Sequence, residues 1–155
     1  MPGTFVVDAS VVVEFLAPGR WGAPADRFIG GLAWHSPLDL YAPDLIFPEV
    51  ANALRKLSLA KLISDRRAGR LVEHLPKLSI ATVASAALLG PAWSFRKRMT
   101  TYDAGYAALA RILDCPLVTT DRRLAAACTS FGIRAFRVDD PELARTLDAL
   151  EAAGR

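Results

Sequence analysis

The chain has 155 residues, of which 52% are hydrophobic and 23% charged, and its formal net charge is +3. This composition excludes an intrinsically disordered segment, because the apolar side chains suffice for a core. We expect a single domain over residues 1–155 that needs neither a disulfide nor a structural zinc ion. The small positive charge permits a polyanionic partner but does not require one.

The cysteines, the histidines and the apolar segments narrow the class of protein. Cys115 and Cys128 lack CxxC spacing, and His35 and His74 are isolated. Cysteines without CxxC spacing are typical of reduced residues in a cytoplasmic protein. Isolated histidines argue against a zinc site. The longest apolar stretch, Ile80 to Trp93, is too short to span a membrane, and no basic leader precedes the first apolar segment. We therefore expect a cytoplasmic protein without a membrane partner.

Strands and helices are predicted to alternate along the first half of the chain. The first apolar run is contiguous, which is typical of a strand covered on both faces. Ser10 is suited to cap the helix that follows, and Pro48 lies in a first helical turn, where its missing N–H is harmless. In chain order, the predicted elements are a strand over 4–7, helices over 11–16 and 23–34, a strand over 38–42, and helices over 48–63 and 64–75.

The second half of the chain continues this alternation. Pro91, with the glycine before it, is expected to interrupt one helix, Thr100 opens the next, and Asp121 is placed to cap a third. In chain order, the predicted elements are a strand over 78–83, helices over 85–98 and 100–113, a strand over 116–120, a helix over 122–131, a strand over 133–138 and a helix over 141–153. The alternation predicts an α/β fold with a mainly parallel sheet.

Four acidic residues occupy positions that a parallel sheet brings to one edge. Asp8 and Asp121 each close a predicted strand, and Glu49 and Asp103 lie in the first turns of two predicted helices. In a parallel sheet the carboxyl ends of strands and the following helix N-termini share one edge, where a crevice opens if the strand order reverses. The sequence therefore predicts that the four carboxylates converge.

Each acid also has a structural interpretation, because acids favour helix N-termini and Asp121 is a good cap. Asp8 fits that interpretation least well, because Ser10 is already a suitable cap. Two carboxylates about 4 Å apart repel by roughly 4 kcal/mol at an effective dielectric near 20, so a cluster needs protons or cations. Oxygen ligands alone suit Mg²⁺ or Mn²⁺ rather than zinc, and such ions serve phosphodiester hydrolysis by activating water and stabilising charge on the phosphate.

Four strings of residues around these acids follow in the order found in PIN-domain nucleases: Val7–Ser10, Pro48–Leu54, Thr101–Ala110 and Val118–Asp121. From Phe5 to about Val138, the chain resembles the VapC-type toxins of bacterial toxin–antitoxin pairs. This resemblance implies a PIN-like three-layer α/β/α fold with a five-stranded sheet. It also implies a Mg²⁺-dependent endoribonuclease, for which Mn²⁺ is the alternative cofactor.

The resemblance also assigns site residues and partners by matching position. The catalytic and metal-binding quartet would be Asp8, Glu49, Asp103 and Asp121. Asp8 and Asp103 would be the most direct metal ligands, Ser10 and Thr120 correspond to supporting hydroxyl positions, and Asn52 lies one helical turn from the glutamate. The implied partners are an RNA substrate, a second copy of the chain in a homodimer, and a cognate VapB-type antitoxin whose tail lies across the acidic groove.

Basic and aromatic residues beside the acids have two interpretations each. Four arginines lie near two of the acids: Arg96, Arg98, Arg122 and Arg123. They are candidates for RNA contacts, because a polyanion needs cations beside an acidic pocket, and the alternative is a solvated helix face. Trp21 and Trp34 are suited to base stacking, but packing in the core or in a dimer interface is favoured. Tyr106 is interpreted as packing with Leu109.

Other functions fit the sequence less well. A phosphatase of the aspartyl-phosphate type requires a second aspartate two residues after the first, and Ser10 occupies that place. A phospho-accepting receiver domain requires a lysine after a late strand, and no lysine follows Lys97. A catalytically silent PIN module that binds RNA or protein remains as the alternative to the nuclease.

Overall fold

The computed structural model describes residues 3–30 and 38–153, in which a five-stranded sheet is flanked by helices. The strands are β1 (Thr4–Val7), β2 (Asp39–Pro43), β3 (Ile80–Val83), β4 (Leu117–Thr119) and β5 (Ala135–Arg137). The helices are α1 (Ala9–Leu16), α2 (Gly22–Ile29), α3 (Ile46–Leu59), α4 (Asp65–His74), α5 (Ser85–Trp93), α6 (Thr101–Ile112), α7 (Arg122–Ser130) and α8 (Pro141–Ala153). A 3₁₀ turn over Leu75–Lys77 follows α4.

All the strand pairs of the sheet are parallel, and the strand order is β3-β2-β1-β4-β5. The chain builds the sheet outward from β1 to β3 and then returns to the other side of β1 with β4. The direction of strand addition therefore reverses between β1 and β4, and open α/β sheets bind their ligands at such a point, beyond the carboxyl ends of the strands. The residue directly after β1 is Asp8.

The core holds the elements at this carboxyl edge of the sheet in place. Every residue of β1 and β4 is buried, which agrees with the prediction that the first strand is covered on both faces. Helix α6 is buried from Ala104 to Ala110 and packs against β1, β2 and β4. Its small side chains allow this close packing, and its first turn is thereby fixed at the carboxyl edge of the sheet.

The start of α1 differs from the sequence-based prediction. The helix begins at Ala9 rather than at residue 11, and the extended residue before it is Asp8, with φ −79° and ψ 149°. Ser10 is the second residue of the helix, and its hydroxyl donates to the Asp8 carboxylate and accepts no hydrogen bond from the first N–H groups of α1. The prediction that Ser10 caps α1 is therefore wrong.

Two other helices also differ from the prediction. Helix α5 continues through Gly90 and Pro91 and ends at Trp93, so the predicted interruption and the extension to residue 98 are wrong. Pro91 removes the hydrogen bond to the Ala87 carbonyl, but both residues are exposed, so water can bond to that carbonyl. Helix α2 ends at Ile29 and is followed by Gly30, and residues 31–34 of the predicted helix over 23–34, with Trp34, lie outside the described residues, as does His35.

The burial of the cysteines agrees with the expectation from the sequence. Cys115 and Cys128 are both buried and unpaired. Across residues 3–30 and 38–153, the helices are too short or too polar to cross a bilayer.

Candidate acidic site

Asp8 is the most buried of the four candidate acids, with 8% of its surface exposed. Its Oδ2 accepts a hydrogen bond of 2.6 Å from the Ser10 hydroxyl and one of 2.7 Å from the Thr119 hydroxyl. Burial raises the pKa of Asp8, the negative charge of Asp103 adds to this effect, and the two hydroxyl donors oppose it. The carboxylate is thus held by neutral donors in a place that disfavours its charge.

The two hydroxyls also fix the turn between β4 and α7. The Thr119 hydroxyl accepts a hydrogen bond of 3.0 Å from the Asp121 N–H, and the Ser10 hydroxyl accepts one of 3.1 Å from the Thr120 N–H. The threonine hydroxyl beside Asp8 is therefore that of Thr119, whereas Thr120 reaches the network through its backbone. Successive residues of a strand point to opposite faces, so one position along the chain decides which hydroxyl faces the acid.

Glu49 lies in the first turn of α3 and is held by a residue of α6. The Tyr106 hydroxyl donates a hydrogen bond of 2.6 Å to Glu49 Oε2, although the tyrosine itself is only 1% exposed. Burial raises the pKa of Tyr106 far above its ordinary value, and the charges of Asp8 and Glu49 add to this, so the hydroxyl stays protonated. Burial also raises the pKa of Glu49, with smaller contributions from the charges of Asp8 and Asp103, and the Tyr106 hydrogen bond opposes the shift.

Asp103 and Asp121 lie at the N-termini of α6 and α7. The backbone N–H of Asp103 donates a hydrogen bond of 3.2 Å to the Thr100 hydroxyl, which caps α6. Burial raises the pKa of the half-buried Asp103, and the charge of Asp121 adds to that rise. Asp121 is exposed and caps α7 as predicted, because its Oδ1 accepts hydrogen bonds from the N–H groups of Arg123 and Leu124 at 2.7 and 3.3 Å.

These interactions link the four acids electrostatically. Asp103 raises the pKa of Asp8, Asp8 and Asp103 raise that of Glu49, and Asp121 raises that of Asp103. Within the described residues, none of the four acids forms an ion pair with a basic side chain; the ion pairs there join Arg27 to Asp148 and Arg137 to Asp139. The repulsion among the acids therefore has no protein cation to offset it.

The donor set fits a hard divalent cation. The candidate ligands are oxygen atoms, and the buried Asp8 lacks the positive partner that a buried carboxylate normally needs. In the described part of the chain, no three His, Cys, Asp or Glu side chains stand close enough together to hold an ion in their present rotamers. Asn52 is exposed on α3 and forms no hydrogen bond with the four acids.

The four candidate RNA-contacting arginines are exposed side chains that lie close to Asp103 or Asp121 in the sequence. Arg122 and Arg123 begin α7 next to Asp121, and Arg98 lies in the segment that leads to α6. Arg96 stacks on Trp93, with its Cζ atom 5.4 Å from the ring centroid, and donates a hydrogen bond of 3.0 Å to the Trp93 carbonyl. All four side chains are accessible to a polyanion. Exposure alone does not distinguish RNA contacts from a solvated helix face.

Trp21 packs against the hydrophobic core, as predicted. The guanidinium of Arg20 lies over its ring, with the Cζ atom 5.0 Å from the ring centroid.

The residues of the site that sequence reasoning missed are Thr119 and Tyr106. Both could have been found from their positions in the sequence. Thr119 directly precedes Thr120 and Asp121, and Tyr106 follows Asp103 by three residues, which places both on the same face of a helix.

The sheet order and the acids at its reversal point define a class of protein. The family model described as "PIN domain" matches residues 5–130, and the chain therefore belongs to the PIN-domain family. Its curated relatives include Ribonuclease VapC1 of Mycobacterium tuberculosis, which is 43% identical over 123 residues, or 79% of this chain and 89% of that protein. The chain is thus a PIN domain related to the VapC ribonuclease toxins, as the sequence motifs predicted.

Solved structures confirm the predicted α/β fold. The crystal structure of PAE2754 from Pyrobaculum aerophilum has a TM-score of 0.64 and 25% sequence identity, and the match covers 98% of this chain and 99% of that one. The crystal structure of VapC20 from Mycobacterium tuberculosis has a TM-score of 0.60 and 18% identity, over 79% of this chain and 94% of that one. The five-stranded parallel sheet with flanking helices is PIN-like.

Proposed function

We propose that this protein is a metal-dependent endoribonuclease toxin of a VapBC toxin–antitoxin pair. One observation carries the proposal: Asp8 is a buried carboxylate at the point where the strand order reverses, it interacts electrostatically with Asp103 and Glu49, and its side-chain hydrogen-bond donors are neutral hydroxyls. A fold gains nothing in stability from such an arrangement, because burial of an uncompensated charge is unfavourable. Its relationship to Ribonuclease VapC1 supports RNA phosphodiester hydrolysis as the reaction.

In this proposal the four acids hold Mg²⁺, with Mn²⁺ as the alternative. Asp8 and Asp103 would be its most direct ligands, and Glu49 and Asp121 would complete the site or hold water. A cation held by these residues would supply the chemistry of phosphodiester hydrolysis, because it would lower the pKa of water and offset negative charge on the phosphate. Ser10 and Thr119 fix the orientation of the Asp8 carboxylate. Glu49 or Asp121 would accept the proton of the attacking water.

The RNA strand must approach an edge that carries four acids. The arginines nearest to these acids supply the opposite charge, and Arg122 and Arg123 adjoin Asp121 directly. Arg96 and Arg98 lie just before the helix that carries Asp103. Guanidinium groups bind phosphate in a forked geometry, so these four side chains are the proposed RNA-backbone contacts.

Two protein partners belong to the proposal. A VapB-type antitoxin would inhibit the enzyme by placing a basic side chain among the unpaired acids, where it replaces the cation electrostatically.

A second copy of the chain would complete a homodimer, for which α5 and the start of α6 offer an apolar surface. Leu89, Trp93 and Tyr102 are 56%, 63% and 66% exposed there. Cytoplasmic location remains a prediction from the sequence.

Metal-dependent cleavage of RNA tests the proposal. The purified protein should cut RNA in Mg²⁺ or Mn²⁺ and not in EDTA, and Asp8→Asn should lower the rate by at least about a hundredfold. Asp39→Asn is the matched control, because Asp39 is exposed at the amino end of β2, at the opposite edge of the sheet. Cleavage in EDTA, or equal rates for Asp8→Asn and the wild type, would overturn the mechanism and favour a silent RNA- or protein-binding module.

Growth of bacteria tests the toxin assignment separately. Expression of the wild-type chain without its antitoxin should slow growth, whereas expression of Asp103→Ala at the same level should not. If neither chain affected growth, the toxin assignment would fail even if the purified protein cleaved RNA.

A further inference from the structure

Tyr106 joins two acids of the candidate site through one helix. It follows Asp103 by three residues on α6, so both side chains lie on the same face of that helix. Its hydroxyl donates a hydrogen bond of 2.6 Å to Glu49 Oε2 on α3. Helix α6 thus supplies one acid of the site and the residue that holds another.

Packing accounts for the ring of Tyr106 but not for its hydroxyl. The ring lies in the core at 1% exposure, where a phenylalanine would pack equally well. A buried phenol needs an acceptor, and this one is bonded to a carboxylate oxygen of a half-buried glutamate. A hydrogen bond to a charged acceptor is stronger than one between neutral groups and more specific in its geometry.

Glu49 has three rotatable side-chain bonds, which a ligating carboxylate must fix. A partner that fixes them beforehand lowers the entropy lost on ligation, and groups that hold metal ligands often matter nearly as much as the ligands. We propose that Tyr106 is a positioning residue for the acidic site: its hydroxyl orients the Glu49 carboxylate and so raises the affinity of the protein for a divalent cation. This inference rests on the metal site of the proposed function.

Binding of Mn²⁺ to the RNA-free protein, measured by the electron paramagnetic resonance signal of the free ion, tests this role without catalysis. Tyr106→Phe should weaken Mn²⁺ binding about tenfold. Tyr41→Phe is the matched control, because Tyr41 lies on β2 and its hydroxyl donates to none of the four acids. It should bind Mn²⁺ like the wild type.

A double-mutant cycle with Glu49→Gln shows whether the tyrosine acts through the glutamate. If it does, Tyr106→Phe should weaken Mn²⁺ binding in the wild-type background and have no further effect beside Glu49→Gln. Circular dichroism and the thermal midpoint in EDTA establish that Tyr106→Phe is folded, which we expect because only a hydroxyl is removed.

The outcomes separate this inference from the proposed function. If the wild type binds Mn²⁺ and Tyr106→Phe binds it equally well, the positioning role is wrong and the metal site stands. An equal loss in the Glu49→Gln background would also overturn it, since Tyr106 would then act by another route. If the wild type neither binds Mn²⁺ nor cleaves RNA, the proposed function itself fails, and this inference fails with it.

Discussion

The Thr119 hydroxyl donates a hydrogen bond of 2.7 Å to Oδ2 of Asp8, and this bond links the carboxyl ends of two paired parallel strands. The same hydroxyl accepts the N–H of Asp121, so one threonine contacts two of the four acids. Thr119 therefore contributes both to the contact between the ends of β1 and β4 and to the placement of Asp8 and Asp121. A change at Thr119 should affect both.

Thr119→Val should lower both the RNA cleavage rate and the stability of the protein. The substitution keeps the shape of the side chain but removes a donor from Asp8 and an acceptor from the Asp121 N–H. We expect a rate about ten- to a hundredfold lower, the usual effect of losing a group that holds a metal ligand. Loss of these buried hydrogen bonds should lower the free energy of unfolding by about 1–3 kcal/mol. Cleavage kinetics and urea unfolding measure the two effects.

Thr120→Val is the control for this substitution. Thr120 contributes its backbone N–H to Ser10, and this bond survives the change of side chain. Its cleavage rate should stay within about twofold of the wild type. A larger loss in Thr120→Val than in Thr119→Val would show that the wrong hydroxyl has been assigned to the site.

Asp8→Asn should stabilise the metal-free protein near pH 7. Burial raises the pKa of Asp8 in the folded state, so the ionised carboxylate costs stability once the pH rises through that pKa. Asparagine carries no charge and can still accept the two hydroxyl hydrogen bonds. We expect a gain of about 1 kcal/mol at pH 7, which should shrink as the pH falls through the folded-state pKa toward the unfolded one. Urea unfolding in EDTA at several pH values measures it, and a destabilised Asp8→Asn at pH 7 would contradict the argument.

Mg²⁺ should reverse the order of stability of these two proteins. A ligand that binds only the folded state stabilises it by an amount that grows with the logarithm of its concentration. The thermal midpoint of the wild type should therefore rise with Mg²⁺ or Mn²⁺, while that of Asp8→Asn should stay nearly constant. Equal shifts in both proteins would mean that the ion binds elsewhere.

The sequence predicts the architecture well because the relevant signals are local. The contiguous apolar run at Thr4–Val7 predicts a buried strand, and the acids that follow strands predict the edge at which they lie. The β1–β4 pairing places Asp8 beside the end of the strand that precedes Asp121, as expected for a reversal of strand order. The sequence predicts that these acids converge, and the strand order seen in the structure explains why Asp8 and Asp121 lie at the same edge.

Side-chain partners are harder to predict, because they depend on distances between remote elements. Thr119 and Thr120 are adjacent in sequence, and the pleat of β4 alone decides which hydroxyl meets Asp8. Tyr106 lies among apolar residues at helical spacing, so it is interpreted as a packing residue, and only the position of α3 shows its bond to Glu49. Ser10 looks like a cap in the sequence, but the extended Asp8 takes that place.

Trp93→Glu should prevent formation of the proposed homodimer. Trp93 is 63% exposed on the apolar surface of α5 and α6, and burial of a charged side chain in an interface is unfavourable. Light scattering after size-exclusion chromatography should show a dimer for the wild type and a monomer for Trp93→Glu. Ile112→Glu, a change at another exposed apolar residue near the other end of α6, should remain dimeric. If Trp93→Glu remained a dimer, the interface would lie on another face.

Substitutions of Asp121 should separate its cap from its proposed role in the quartet. Its Oδ1 accepts the first N–H groups of α7, a function that serine can also perform and alanine cannot. Asp121→Ala should lower the free energy of unfolding by about 1 kcal/mol, whereas Asp121→Ser should lower it by a few tenths at most. If the carboxylate also serves RNA cleavage, both variants should lose activity to a similar extent, because neither retains the negative charge. Full activity in Asp121→Ser would show that Asp121 is a helix cap alone and that three acids make up the site.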